Sequence, residues 1–422
     1  MVHGGFMKVF RWLVTTAFAC TSFYLQAGDL KAPVDFPSAK TLPKGVRNLR
    51  FKEAWVQGTQ MYDNSGSKVS LGNKIDSAIT VEKIIDGESD PDKQAVLAGY
   101  LHGSGYEDSD ELGQVSGEVN VAANVYAPIV AYGFTNKLTV AVAVPIIQSK
   151  TSVDTGYSSN QAIYTLKQKL ESQGNLQDSE ELVRNINRPV DKKLEDYGYQ
   201  PMEDESKTEM GDIKLVSKYK LQEQYFYTLS LLGEITLPTG KEVSIDKAFG
   251  VPSGDGQTDV GLGLAFDYDL TDKLNFSESV GFIVQLPDKT DKRIPRRADT
   301  SLTPDKEENI NRNLGDILYA NLASSYNLFY GFYARGGYSF QYKGRDSFAG
   351  NRYQDYRYNW MEVNTEQNMH SLIGGLSFSS VQLYQQKRAI IPLEANLTYS
   401  AVLTGKNVVS DALIAFEAVL YF

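Results

Sequence analysis

The chain has three histidines, and one of them lies beside carboxylates that could assist it in acid–base chemistry. His102 stands in the glycine-rich stretch Leu101–Gly105, close to Tyr106, Asp108 and Asp110. A histidine held by a carboxylate can act as a general base. A lone histidine in a polar loop is more commonly solvated surface. We therefore predict no catalytic role for His102.

His370 and Ser371 form a second candidate, because a hydrolase needs a serine beside a histidine. Both fall at the start of a predicted strand, where neighbouring side chains point to opposite faces. The two groups would then lie on different sides of one wall. We predict that the chain is not an enzyme and name no catalytic residue, with a hydrolase that uses His370 or His102 as an alternative.

Two acidic pairs have the oxygen chemistry of a calcium site, Asp255 with Asp259 and Asp108 with Asp110. Neither pair has the spacing of a dedicated calcium loop, so we expect solvated surface, no metal and no cofactor. The net charge of −10 gives no basic patch for nucleic acid. Five basic residues do cluster within residues 289–297: Lys289, Lys292, Arg293, Arg296 and Arg297. These side chains either contact lipopolysaccharide phosphate or are simply solvated.

The N-terminus has the pattern of a secretory signal peptide over residues 1–27. Lys8 and Arg11 precede the apolar run Trp12–Phe23, and Ala27 stands at the expected cleavage point. The single cysteine, Cys20, lies inside this segment. Acylation of Cys20 as a lipoprotein is the alternative. Cleavage after Ala27 would leave no thiol, which excludes disulfides and thiolate metal sites from the mature chain.

Side chains alternate with a period of two along most of the sequence, as on Val260–Leu270, where one face is apolar and the other small or charged. Most of the predicted strands are longer than the roughly 5–6 residues usual in soluble proteins. Twelve strands are predicted: 46–60, 116–133, 137–150, 211–221, 225–237, 257–270, 273–286, 313–326, 330–343, 368–381, 389–403 and 408–422.

The connections alternate between short turns and long polar segments, which is typical of bacterial outer-membrane barrels. We predict an all-β chain, an antiparallel transmembrane barrel of about twelve strands (ten to fourteen) over residues 46–422. Residues 28–45 are predicted to be a periplasmic N-terminal segment. Residues 151–210 are predicted to form a long, partly helical external loop, from the spacing of Ala162, Leu166 and Leu170 and a second run near Asp178.

The last predicted strand carries Phe416, Leu420 and the terminal Phe422 on one face. This pattern resembles the signal that the barrel-assembly machinery reads. The export and assembly machinery, outer-membrane lipid and lipopolysaccharide are therefore the expected partners, together with a small solute. The predicted location is the outer membrane of a Gram-negative bacterium.

The predicted register places charges of both signs inside the barrel. Lys214 and Lys218 could pair with Glu234 on the next strand. A lumen filled by ion pairs would be a plugged, structural barrel, whereas a water-filled lumen would be a selective pore. The predicted pore-lining residues are Glu118, Asp212, Lys214, Lys218, Lys220, Glu234, Asp267, Asp269, Arg335, Lys343 and Glu394.

Four stretches carry a family resemblance: Tyr132–Leu138, Gly211–Leu221, Leu237–Gly240 and Gly256–Thr271. They resemble the outer-membrane family linked to the meta pathway of phenol degradation, distantly like the fatty-acid and aromatic-hydrocarbon channels. The resemblance implies uptake of hydrophobic or aromatic compounds through a lateral opening. Residues 28–45 are short for the N-terminal hatch of such channels, and residues 61–115 could fold inward instead.

We therefore expect a passive outer-membrane channel for small solutes. The alternatives are a structural or surface-interaction barrel with a plugged lumen and, from the histidines above, a membrane-embedded hydrolase.

Overall fold

The computed structural model describes residues 23–24, 30, 33, 35–86, 91–159, 161–172, 194–298 and 302–422. Twelve antiparallel strands close into a barrel in which each strand is hydrogen-bonded to two neighbours and the first pairs with the last. The strands are β1 Arg47–Gly58, β2 Glu111–Gly133, β3 Leu138–Ala143, β4 Ile213–Gln224, β5 Tyr227–Leu237, β6 Asp259–Asp269, β7 Leu274–Gln285, β8 Ile317–Phe329, β9 Phe332–Lys343, β10 Gln367–Ser379, β11 Leu393–Lys406 and β12 Leu413–Tyr421. The predicted fold class is confirmed, and each predicted strand overlaps an observed one.

The remaining elements lie mainly at the end of the barrel with the long connections, here called the long-loop end; the opposite end is the short-turn end. The helices are α1 Val81–Asp86, α2 Pro91–Gly103, α3 Gln161–Ser172, α4 Asp355–Met361 and, at the short-turn end, α5 Val381–Gln385, with a 3₁₀ turn at Leu71–Lys74. The other strands are Phe23–Tyr24, Gln60–Tyr62, Lys68–Ser70, Ser77–Thr80, Ile146–Ser159, Glu205–Met210, Phe249–Gly250, Asp288–Arg293, Lys306–Asn313, Ser347–Ala349 and Val408–Val409. No described helix is long and apolar enough to cross a bilayer.

Two sequence predictions fall partly outside the described residues. Of the predicted signal peptide, only Phe23–Tyr24 is described, and its backbone pairs in parallel with Phe249–Gly250. The second helical run near residue 178 is not among the described residues. The segment predicted as a loop over residues 151–210 begins and ends as strand, at Ile146–Ser159 and Glu205–Met210, with α3 between them.

The outer wall of the barrel is apolar and exposed. On β6 the side chains of Val260, Leu262 and Leu264 are exposed, whereas Ala265 and Asp267, on the other face, are buried. The same face continues on β12, where Phe416 and Leu420 are exposed beside Phe422. Aromatic rings gather at the short-turn end, where Phe329 packs against Phe332. This surface suits hydrocarbon, and the alternation follows from the pleat of the strands.

The regular strand pairing of the wall is interrupted at one height on three neighbouring strands. Pro128 on β2 and Pro145 after β3 have no N–H group to donate to a neighbouring strand. Gly211 lies in the break between the strand Glu205–Met210 and β4, which follow each other in the chain. Two bonds still cross this level: Val144 N donates to the Pro128 oxygen over 3.1 Å, and Gly211 N donates to the Pro145 oxygen over 2.8 Å. The described barrel strands therefore show no lateral opening of the kind that the resemblance implies.

Above this level, polar side chains cover the outer face. Glu118 stands opposite Asp154 in the register, and both are exposed. Asn120 donates to Glu118 over 3.1 Å on the same face. The prediction that Glu118 lines the pore is therefore wrong. Glu118 lies an even number of residues from the outward-facing Val130 on the same strand, so both side chains point outward. The outward side chains are polar here because this part of β2 lies beyond the hydrocarbon.

The inner face of the same stretch of β2 is apolar and packs under the long loops. Leu112, Val115, Val119 and Val121 form one buried cluster with residues that include Ile75, Ile79, Val81 and Ile85. A Cβ atom at Gly117 would lie 2.4 Å from the Ile75 side chain, so only glycine admits this contact. Ile75, Ile79, Val81 and Ile85 thus belong to a buried apolar layer over the long-loop end of the barrel, which is called the cap below.

A second part of the cap uses the basic stretch 289–297. Arg293 is buried, donates to the backbone oxygens of Tyr197, Gly198, Ile245 and Thr303, and lies over the Tyr199 ring. The Arg293 side chain therefore holds three loops together and does not reach the lipid.

Arg296 and Arg357 both bind the Asp305 carboxylate. The hydrogen bond from Arg296 is the main reason that the pKa of Asp305 lies below its ordinary value. Lys292 pairs with Glu242 over 3.4 Å. Much of the charge predicted for lipopolysaccharide is thus neutralised within the cap.

One carboxylate interrupts the apolar outer wall and gives a test of it. Glu278 is exposed on β7 between the outward-facing Phe266 and Leu322. We predict that Glu278→Leu raises the free energy of unfolding by about 1 kcal/mol, because a carboxylate facing hydrocarbon costs energy that leucine does not. Denaturant titration in lipid vesicles measures this. The control Glu308→Leu, in the exposed hairpin outside the barrel, should give no gain; an equal gain would mean that the wall at residue 278 faces water.

Candidate functional site: the barrel lumen

The inner wall of the barrel carries charged side chains that pair across neighbouring strands. Lys214 Nζ on β4 lies 2.7 Å from Glu234 Oε1 on β5. The lysine side chain remains 49% exposed although it points inward, so it borders unfilled space inside the lumen at this level. This is the pair expected from the sequence for Lys214. Lys218 does not join it.

A second network lies across the barrel seam. Arg50 Nε on β1 lies 2.9 Å from Glu417 Oε1 on β12. Glu394 on β11 accepts from the Tyr421 hydroxyl over 2.9 Å and from the Ser379 hydroxyl over 3.3 Å. These contacts join β10, β11, β12 and β1 on the lumen side. The seam between the first and last strands is therefore tied by side chains as well as by backbone bonds.

The described part of the N-terminal segment, Leu30 and residues 35–44, lies within the barrel, whereas the sequence predicts a periplasmic segment there. Leu30 is buried near the long-loop end, where its backbone N–H donates to Gln367 Oε1 over 2.8 Å. Leu42 and Lys44 reach the opposite end, where their N–H groups donate to Thr139 Oγ1 and Asn136 Oδ1 over 2.7 and 2.9 Å. The chain then enters β1. Residues 35–44 are called the lumen segment below.

The walls hold the lumen segment by side-chain hydrogen bonds. Lys218 Nζ donates to the backbone oxygens of Ser38 and Lys40. Ser230 Oγ donates to the Ala39 oxygen over 2.5 Å, and the Ser38 hydroxyl donates to Asp267 Oδ2 over 3.2 Å. The segment forms no strand ladder with the wall. Lys218 and Asp267 therefore act inside the barrel by binding this segment.

Asp35 and Phe36 make the two contacts nearest the start of the lumen segment. Lys52 Nζ hydrogen-bonds to Asp35 Oδ1. The Arg335 guanidinium carbon lies 5.6 Å from the centroid of the Phe36 ring. A Cβ atom at Gly375 would lie 3.2 Å from Phe36 Cε2, so glycine leaves room for the ring. The Asp35 side chain is still 65% exposed, so unfilled space large enough for water borders it inside the lumen.

Several predicted pore-lining residues have structural partners instead of an open lumen position. Asp212 accepts from the backbone N–H groups of Gly240 and Asp255, which fastens the 238–258 loop to the wall. Lys343 is 0% exposed and pairs with Asp346. At the short-turn end, Lys220 pairs with Glu223 over 2.6 Å and Asp269 accepts from Asn275 over 2.9 Å. Lys343 therefore does not contact an open lumen, whereas Asp212 stays a predicted pore-lining residue at the long-loop end.

The histidines do not assemble a catalytic group. His370 bonds to the Tyr338 hydroxyl over 2.5 Å on the outward face of β10, whereas Ser371 is buried on the inward face. His102 lies 2.8 Å from Asp108 at an exposed site. Among the described residues, no group of three or more His, Cys, Asp or Glu side chains could hold a metal ion. Asp255 and Asp259, predicted as solvated surface, are buried.

The sequence places Lys218, Asp267 and Arg335 inside the barrel but does not show that they contact the lumen segment. It missed Lys52 and Gly375, and glycine carries no chemical motif. Lys52 could have indicated a partner inside the barrel, because it falls on the inward-facing positions of β1 and a charge there needs a partner.

We predict that Lys214→Glu shifts the ion selectivity of the lumen toward cations, because it leaves two carboxylates facing each other. The double variant Lys214→Glu/Glu234→Lys should restore most of the original selectivity, since it restores the ion pair with the two charges exchanged between the strands. Reversal potentials in a salt gradient measure both. Selectivity that stays unchanged in the single variant would show that ions do not pass this pair.

No family model matches the chain, so the resemblance to the phenol-pathway family is not confirmed. No curated protein matches it either. Among solved structures, it is similar to the COG4313 outer membrane channel from Pseudomonas putida F1, at 14% identity and a TM-score of 0.49, over 92% of this chain and 100% of that one. It is also similar to the Ralstonia pickettii toluene transporter TbuX (13%, TM-score 0.35, 97% and 99%) and the Pseudomonas putida toluene transporter TodX (11%, TM-score 0.31, 96% and 99%).

Proposed function

We propose that this chain is a passive channel of a Gram-negative outer membrane, which lets small solutes diffuse through its lumen. One observation carries the proposal: charged side chains of the inner wall and of the lumen segment keep accessible surface inside the barrel. Lys214 and Asp35 both keep about half or more of their side-chain surface accessible inside the barrel. A wall of paired charges around water is the usual construction of a selective pore.

The membrane location rests on the wall itself. A closed barrel leaves no strand edge unpaired, which is what hydrocarbon requires of backbone amides. The strand number is even, and the exposed face carries Leu262, Leu376 and Phe416. We assign Phe416, Leu420 and Phe422 to the assembly signal, and lipopolysaccharide remains a proposed partner of the long-loop end.

The lumen segment is the element that we propose controls passage. Its described polar contacts in the middle of the lumen are two hydrogen bonds from Lys218, one from Ser230, one from Ser38 to Asp267, and one ion pair at Asp35. Each such hydrogen bond contributes about 1 kcal/mol. A segment held in this way can be displaced at modest cost, whereas a ladder of strand pairing could not.

A plugged structural barrel is the second candidate, and the observation that favours it is the buried apolar cap. Ile75, Leu112, Leu194 and Leu302 share that one core above the long-loop end. If the cap closes the lumen permanently, the barrel would present loops to a partner and pass no solute.

Planar-bilayer recording separates the two functions. We predict that the wild-type chain gives small conductance steps and that Lys218→Met/Ser230→Ala gives steps several-fold larger, because the lumen segment loses its hydrogen bonds at Ser38, Ala39 and Lys40. The control Lys137→Met, at an exposed turn, should behave as wild type. A folded protein without steps in both wild type and double variant would support the plugged barrel.

A further inference from the structure

Two neighbouring residues of the lumen segment present different chemistry to the wall. Asp35 offers a carboxylate to the Lys52 ammonium. Phe36 offers an aromatic ring to the space between Arg335 and Gly375. An anion and a ring joined by a short chain therefore already occupy the lumen.

The wall groups need such an occupant for electrostatic reasons. Lys52 is buried, and among the described residues Asp35 is its ion-pair partner. Arg335 Nε is buried without a hydrogen-bond partner in the described part of the chain. A buried cation without a counter-charge is costly. If the lumen segment moved away, Lys52 would lose its hydrogen bond to Asp35 and keep, within the described barrel, only the nearby charge of Glu417, which stands opposite it on β12. The Arg335 face would lose its ring.

The shape of the slot is set by glycine. On β10, a side chain at Gly375 would meet both the Phe36 ring and the Leu397 backbone oxygen, at 3.2 and 2.9 Å from its Cβ atom. The guanidinium of Arg335, which stands opposite Gly375 in the register, covers the ring from the β9 side. A planar cation over an aromatic face is a favourable contact. The slot therefore suits a flat ring.

We propose that Lys52, Arg335 and Gly375 form a binding site for aryl-alkyl carboxylates, for which Asp35 and Phe36 act as an internal mimic. This inference rests on the proposed channel function, since the solute must enter the lumen. The carboxylate pairs with Lys52 and the ring enters the slot. A neutral aromatic compound fills only the slot, and an aliphatic acid pairs only with Lys52, so both bind more weakly.

The mimic and the solute compete for the same groups. Weakening the mimic should therefore strengthen solute binding, which a purely structural role of Asp35 and Phe36 would not do. Binding of a solute would also release the lumen segment from two of its wall contacts. Occupation of the site and opening of the lumen are then linked through one set of residues.

The test is equilibrium binding to the purified full chain in detergent, measured by calorimetry. The probes are 4-phenylbutanoate, 4-phenylbutanol, which lacks the charge, and butanoate, which lacks the ring. Heat-modifiable gel mobility first shows that each variant is folded. We predict that 4-phenylbutanoate binds more tightly than either partial probe, and that Asp35→Asn/Phe36→Ala increases its affinity several-fold.

Two wall variants separate the carboxylate and ring contacts. In the Asp35→Asn/Phe36→Ala background, where the mimic no longer competes, Lys52→Gln should weaken 4-phenylbutanoate about tenfold, the value expected for one charge-assisted hydrogen bond, and leave 4-phenylbutanol unchanged. Gly375→Val should weaken both ring-containing probes. The control Lys220→Gln also removes a lysine charge, but from the pair with Glu223 at the short-turn end, and should change none of the three affinities.

Equal affinities for the acid and the alcohol, or an affinity for 4-phenylbutanoate that does not depend on Lys52, would overturn the proposal. Because this assay needs no ion flow, such a result in a chain that conducts would remove the aryl-carboxylate site and leave the channel intact. Selective binding in a folded chain that never conducts would instead remove the channel function and keep the site.

Discussion

Backbone amides within hydrocarbon find no water, so each must bond to another part of the chain. The twelve strands meet this requirement because β1 pairs with both β2 and β12. Closure fixes the rest of the design, since every strand must then show one face to lipid and the other to the lumen. The apolar residues of β6 and β12 and the charges of β4 and β5 are two results of the same pairing.

Charges inside a closed wall have to be solvated or paired, and this barrel does both. Lys214 pairs with Glu234 and keeps contact with water, whereas Lys52 depends on Asp35. The lumen segment thus replaces part of the water in the lumen without forming strand pairing. An element bound in this way can close a pore and still leave it, because its contacts can be exchanged for water or for a solute of the same chemistry.

Alternation along segments such as Val260–Leu270 is enough to predict the strands and the face of Glu278, since lipid and water impose the pattern directly. It fails at Glu118, on the part of β2 that lies beyond the membrane. There the outward face contacts water and the inward face packs against the apolar cap. The lumen segment could not be placed at all. Its contacts depend on which inward-facing groups of the wall lack a partner, and the bond from Ser38 to Asp267 is one example. The sequence of residues 35–44 has no periodicity that predicts such contacts.

The central claim is that the lumen segment crosses a hydrated lumen and controls passage through it. The most direct measurement uses Ser38→Cys/Asp267→Cys with Cys20 replaced by Ser, since the side chains of Ser38 and Asp267 face each other and contact over 3.2 Å. The account predicts that a disulfide forms, that the oxidised channel shows reduced conductance, and that a reductant restores it. Conductance that stays the same in the oxidised and reduced forms of a fully cross-linked chain would contradict the account.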